Sequence, residues 1–113
     1  MNIIIAGDGK VGSTLTRQLS AEGHDITLID SNSAVLAESL ERYDVFSVAG
    51  NCASMSVLAQ AQVKNADLLI AATSKDEVNL LCCTTAHAMN PRLHTIARIR
   101  NPEYTEQIFN MRD

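Results

Sequence analysis

The chain has 113 residues, 46% hydrophobic and 19% charged, with a formal net charge of −4 and a pI near 5.2. That length suits one domain with a real core and no second one. The acidic balance, with 4% aromatics and no Trp, argues against a nucleic-acid partner, which would need basic charge or a stacking platform.

The first apolar run, Asn2-Ile3-Ile4-Ile5-Ala6, reads as a strand buried on both faces. It feeds Gly7-Asp8-Gly9-Lys10-Val11-Gly12, a Gly-x-Gly-x-x-Gly turn, and then an amphipathic stretch with Val11, Leu15 and Leu19 at helical spacing. Each glycine has a separate task. Gly7 allows the sharp turn, Gly9 lets phosphates approach the backbone, and Gly12 lets the helix pack close to the strand. The helix start offers unpaired N–H groups and a positive dipole end to a pyrophosphate. The helix is expected over about residues 10–22, with Gly23 as its stop.

A second strand over 25–29 ends at Asp30, about 18 residues past Gly12, where a carboxylate suits ribose hydroxyls. Ser31 or Ser33 is expected to cap a second helix with Leu36, Ala37 and Leu40 on its apolar face. A third strand over 44–48 runs into Ala49-Gly50-Asn51, which suits either a loop near the adenine or ribose or a plain turn. Ser54 opens a third helix with Met55, Leu58 and Gln62 on one side, and 67–71 forms a fourth strand.

Thr73 and Ser74 then suit hydrogen bonds to a second ribose or phosphate, while Ser74 with Glu77 also fits a capping box. The fourth helix carries an inner stripe of Val78, Leu81, Cys82, Thr85, Ala86 and Met89, and Asn90-Pro91 ends it. A fifth strand spans 93–99. Arg98 and Arg100 share one of its faces, directed to a ligand phosphate, a neighbouring subunit or a solvated edge. Asn101-Pro102 opens a last helix bearing Tyr104, Ile108 and Met111 on one face.

Five strands alternating with helices predict an α/β, Rossmann-like, doubly wound parallel sheet of order 3-2-1-4-5, ending before a sixth strand. The carboxyl ends of strands one to four then meet at one crevice. Candidate nucleotide contacts are Gly7, Asp8, Gly9, Lys10, Val11, Gly12, Asp30, Ser31, Asn51, Cys52, Thr73, Ser74 and Arg98. For Lys10 a solvated side chain is an equal alternative. Asp30 repels a 2′-phosphate, so NAD or NADH is preferred over NADP. ATP and ADP present the same ribose and remain open.

Cys52, Cys82 and Cys83 lack metal or disulfide spacing and read as reduced packing residues, with the adjacent pair on different sides of its helix. His24, His87 and His94 are scattered, so no metal site is expected. Neither a Ser-x-x-x-Tyr spacing nor a metal-ligand set is present. An NAD-dependent dehydrogenase would therefore need a catalytic lobe elsewhere. No apolar run approaches the ~20 residues of a membrane span, and Met1-Asn2-Ile3 opens a core strand, leaving no room for a signal peptide.

The whole series resembles the KTN or RCK nucleotide-binding domains that regulate potassium transport. It is most similar to the first domain of bacterial Trk-system regulatory subunits of the TrkA type. The residues carrying the resemblance are the Met1–Gly12 start, Asp30, the 72–79 segment Ala-Thr-Ser-Lys-Asp-Glu-Val-Asn and the 96–104 segment Ile-Ala-Arg-Ile-Arg-Asn-Pro-Glu-Tyr. The last two segments are far more specific than the glycine turn. The resemblance implies a sensor rather than an enzyme, with NAD(H) or adenine nucleotides contacting Gly7 to Val11, Asp30, Thr73-Ser74 and Arg98. It also implies a cytoplasmic, peripheral homo-oligomer, at least a dimer, under an integral-membrane potassium transporter subunit. Residues 1–113 would then be the single N-terminal domain of a longer regulator. The face of Tyr104, Ile108 and Met111, short of a packing partner, suits a last helix that crosses to another subunit and gives a dimer.

Overall fold

A computed structural model describes residues 1–111. The elements in order are β1 (Asn2–Ala6), α1 (Lys10–Ala21), β2 (Asp25–Asp30), α2 (Ser33–Arg42), β3 (Phe46–Ala49), α3 (Met55–Gln60), β4 (Leu68–Ala71), α4 (Asp76–Met89), β5 (His94–Ala97) and α5 (Pro102–Asn110). A 3-10 turn, Val63–Asn65, links α3 to β4. All pairings are parallel and the strand order is β3-β2-β1-β4-β5, as the alternation predicts.

Register makes the strand ends coincide. Ala6 pairs with Ile29 on one side and Ala71 on the other, and Ala71 pairs with Ala97. The ladder continues one step further through Gly7 N–H to Ile29 O at 2.7 Å, Ala72 N–H to Ala6 O and Arg98 N–H to Ala71 O, both at 2.8 Å. Gly50 N–H reaches Asp30 O at 2.9 Å. Every loop that follows therefore leaves from the same edge of the sheet.

The period-2 alternation of β1 divides the core. Ile3 and Ile5 pack with Ile26, Leu28, Leu36 and Ile70, against Val11, Leu15 and Leu19 of α1. Ile4 and Ala6 pack on the other face with Leu58, Val63, Leu69, Cys82, Ala86 and Leu93. Fully burying one such aliphatic side chain contributes about 1.5–3 kcal/mol, so the β1 isoleucines anchor both layers.

Several local expectations change. The cap of α2 is Asn32, whose Oδ1 accepts from Ala34 and Val35 N–H at 3.0 and 3.3 Å, not Ser31 or Ser33. Leu36 is buried, but Ala37 and Leu40 lie exposed. Helix α3 stops at Gln60, with Gln62 in the left-handed region at φ 59°, and Met55 is exposed. Leu81 is also exposed, whereas Cys82 and Cys83 are both buried in one cluster rather than divided between two sides of α4. Layers on an α/β sheet accept a wide helix face, so a strict stripe misplaces residues at its margins. The edge strands are displaced as well: β3 starts at Phe46, and β5 spans only four residues, so Arg98 and Arg100 do not share a strand face.

Candidate functional site

The sheet edge opens into a crevice of about 580 Å³, within the range of ligand pockets. Among the predicted residues, Gly7, Gly9, Lys10, Val11, Asp30, Ser31, Asn51, Cys52, Thr73, Ser74 and Arg98 line it, joined by Lys75 and Val78. Asp8 and Gly12 do not line it. Gly7 turns the chain at φ 101°, which strains any L side chain, and a Cβ there would come 2.9 Å from the backbone of Ala72 and Thr73. A methyl on Gly12 would overlap the Gly7 carbonyl oxygen, so Gly12 serves the approach of α1 to the turn. Gly9, by contrast, has open space where a Cβ would project. It forms the α1 N-cap without a side chain, and Ser13 N–H to Gly9 O, at 2.8 Å, is the first helical bond. Helix geometry leaves the amides of Lys10, Val11 and Gly12 without intrahelical acceptors at the positive end of the dipole.

Asp30 has two tasks where the spacing suggested one. Its Oδ2 accepts Asp8 N–H and its Oδ1 accepts Asn32 N–H, both at 2.8 Å. The carboxylate thus fastens the glycine turn and the start of α2 while lining the crevice. A carboxylate oxygen can accept more than one bond, so capacity for ribose hydroxyls remains.

The Asp8 side chain departs from the expected contact role. It is 3% exposed and turns inward, where Oδ2 accepts the Ser39 hydroxyl at 2.6 Å and Oδ1 has no partner. Burial, with added repulsion from Asp30 and Glu38, raises its pKa above the ordinary carboxylate value, against the lowering effect of Ser39. Only its backbone belongs to the turn.

Ser74 does not form the capping box. The N-cap of α4 is Lys75, without a side-chain cap, and Thr73 Oγ1 accepts Lys75 N–H at 3.2 Å. The Thr73 hydroxyl donates to Asn79 Oδ1 at 2.6 Å, so its proton is committed within the protein. Cys52, on the crevice side of the core, packs in one cluster with Cys82. Interaction with Cys52, with burial, drives the Cys82 pKa up, and burial pushes Cys83 up to about 11. All three cysteines are free and buried, as the packing reading expects. Arg98 faces the crevice, whereas Arg100 lies exposed beside Pro102, Thr105 and Glu106. Lys10, Lys75 and Arg98 therefore give the crevice three cations against the Asp30 carboxylate.

Two residues of the 72–79 segment, to which the sequence assigns no site role, hold the far wall. Asp76 accepts Arg100 N–H at 2.9 Å and Asn101 N–H at 2.8 Å, and these amides hold its pKa below the usual carboxylate value. Asn79 is fully buried and bonds to Thr73 and Arg98. An acidic residue in a first helical turn and a polar residue among helical apolar positions were the only available signals. Neither identifies its partner. Among the described residues no cluster of three metal-ligating side chains occurs, and no helix is long and apolar enough to cross a membrane.

A doubly wound parallel sheet with a glycine turn and a helix N-terminus at its switch point defines the Rossmann-like class of nucleotide-binding domains. The TrkA-N domain family matches residues 3–112, and the chain belongs to it. It is 41% identical over 104 residues to the Trk system potassium uptake protein TrkA of Vibrio alginolyticus, covering 92% of this chain and 23% of that protein. The chain thus spans about a quarter of the length of that relative. Among solved structures, the Kef CTD of Shewanella denitrificans in AMP-bound form aligns with a TM-score of 0.84 at 26% identity, over 98% of this chain and 67% of the other. The GsuK channel bound to NAD aligns with a TM-score of 0.78 at 26% identity, over 96% and 20% of the two chains.

Proposed function

We propose that this domain is the nucleotide sensor of a potassium-uptake regulator. It binds an adenine nucleotide, NAD or NADH before ATP or ADP, in the crevice at the sheet edge. The observation that carries this reading is the convergence of the α1 N-terminus, Asp30, Lys75 and Arg98 on one cavity. The α1 amides and the cations suit phosphates, Asp30 suits a ribose with free hydroxyls, and the apolar Ile29, Ala72 and Val78 suit a base. The AMP- and NAD-bound relatives support the ligand class.

The domain acts as the N-terminal part of a longer cytoplasmic subunit, peripheral to the membrane, in a homo-oligomer that docks on an integral-membrane transporter subunit of the Trk type. Relatives named as Trk potassium-uptake proteins support that partner. It performs no catalysis of its own. A nucleotide biases such an assembly only through different affinities for its two states.

Calorimetric titration with NAD, NADH, NADPH, ATP and ADP tests the reading. NADH is expected to bind saturably and NADPH poorly. Asp30→Asn keeps one acceptor oxygen for the fold but removes the charge. Hydrogen bonds to a charged group contribute about 1.5–3 kcal/mol, so NADH affinity should fall about 10–100-fold while discrimination against NADPH relaxes. Failure of all five nucleotides to bind would reject the sensor reading.

A further inference from the structure

Asn79 sits in α4 at 0% exposure, where an aliphatic residue would complete the core without polar atoms to satisfy. Its side-chain hydrogen bonds go to two residues. Oδ1 accepts Thr73 N–H at 2.9 Å and the Thr73 hydroxyl at 2.6 Å, while Nδ2 donates to Thr73 O at 3.1 Å and Arg98 O at 2.8 Å. Both residues line the crevice, one after β4 and the other after β5.

The ladder between these strands ends with Arg98 N–H to Ala71 O. Beyond it, no backbone bond among the described residues joins the two segments, which separate as the crevice opens. The Asn79 amide takes the place of the missing rungs. One primary amide offers both donors and acceptors from a rigid plane, which no aliphatic or hydroxyl side chain does.

We propose that Asn79 is a positioning residue of the nucleotide site: it ties Thr73 to Arg98 and thereby holds the arginine against a bound phosphate. The proposal rests on the nucleotide reading above. It assigns Asn79 no contact with ligand, since its polar atoms are committed to protein.

The test is a double-mutant cycle on NADH affinity with Asn79→Asp and Arg98→Ala, measured well below each variant's melting temperature. Asn79→Asp keeps size and the acceptor toward Thr73, but sets a carboxylate oxygen against the Thr73 and Arg98 carbonyls. It is expected to weaken NADH tenfold or more. In its background, Arg98→Ala should then cost several-fold less than in the wild type, because the arginine is already displaced. Thr73→Val, which removes the hydroxyl bond to Asn79 at nearly constant shape, should show the same non-additivity. It is the variant to use where Asn79→Asp does not fold.

Additive losses, or unchanged NADH affinity in a folded variant, would overturn the positioning role and leave the nucleotide reading intact. A wild type that binds no nucleotide would overturn both.

Discussion

Replacing Gly12 with alanine sets two effects of opposite sign against each other. In a helix interior alanine is favoured over glycine by about 1 kcal/mol. At this position the new methyl overlaps the Gly7 carbonyl oxygen and lies 2.8 Å from the Gly7 carbonyl carbon, with Ile5 Cγ2 at 3.5 Å. The two worst contacts are backbone atoms of a turn pinned by Gly7 N–H to Ile29 O, so no side-chain rotation relieves them. Helix α1 must lift, drawing Val11, Leu15 and Leu19 away from Ile3, Ile5 and Ile26. Overpacking costs about 1–3 kcal/mol and occasionally more, and a backbone overlap belongs at the upper end. After the helical gain is subtracted, a net loss of about 2 kcal/mol is expected. With a urea slope of about 1–2 kcal/mol per molar, the unfolding midpoint should fall by about 1–2 M. A variant as stable as the wild type, or stabilised by the helical increment, would refute the close approach of α1 to the turn.

Gly9→Ala provides the complementary case. Its φ of −80° suits alanine and no atom lies within 4 Å of the added carbon, so the stability cost is only that of exchanging glycine for alanine at the α1 N-cap, about 0.5–1 kcal/mol. NADH affinity should drop at least tenfold by calorimetry, an order-of-magnitude expectation for displacing a phosphate from the turn, and an unchanged affinity would contradict the phosphate position. For Asp8, the folded pKa lies above the unfolded value of about 4, so the folded state holds its proton more tightly. The stability contribution therefore falls as pH rises from near 4 through the folded pKa. Melting of the wild type and Asp8→Asn from about pH 4 upward should show the variant gaining relative to the wild type with increasing pH; a pH-independent difference would exclude Asp8 as the titrating group.

The elements and their order were legible because their signals are local. An unbroken apolar β1, the three glycines and Asp30 at the end of β2 follow from short-range spacing, and parallel strands joined by helices admit few topologies. Lys75 lies in the family-like 72–79 segment, but nothing local in the sequence places a lysine before a helix at the crevice rather than in solvent. Asp8 is the opposite case. Its place inside the glycine motif implies a contact, yet Ser39, 31 positions away, draws the side chain inward.

By itself the sequence determined the fold class, the strand order, the switch-point crevice and the family resemblance, because backbone conformation and hydrophobic period act within a few residues of each position. Only the tertiary structure decided how polar side chains are shared out: Asp30 between the glycine turn and α2, Asp76 with the start of α5, and Asn79 between Thr73 and Arg98. Those partners are distant in the chain. A buried hydrogen bond depends on where two separate segments finish after packing, and no periodicity records that.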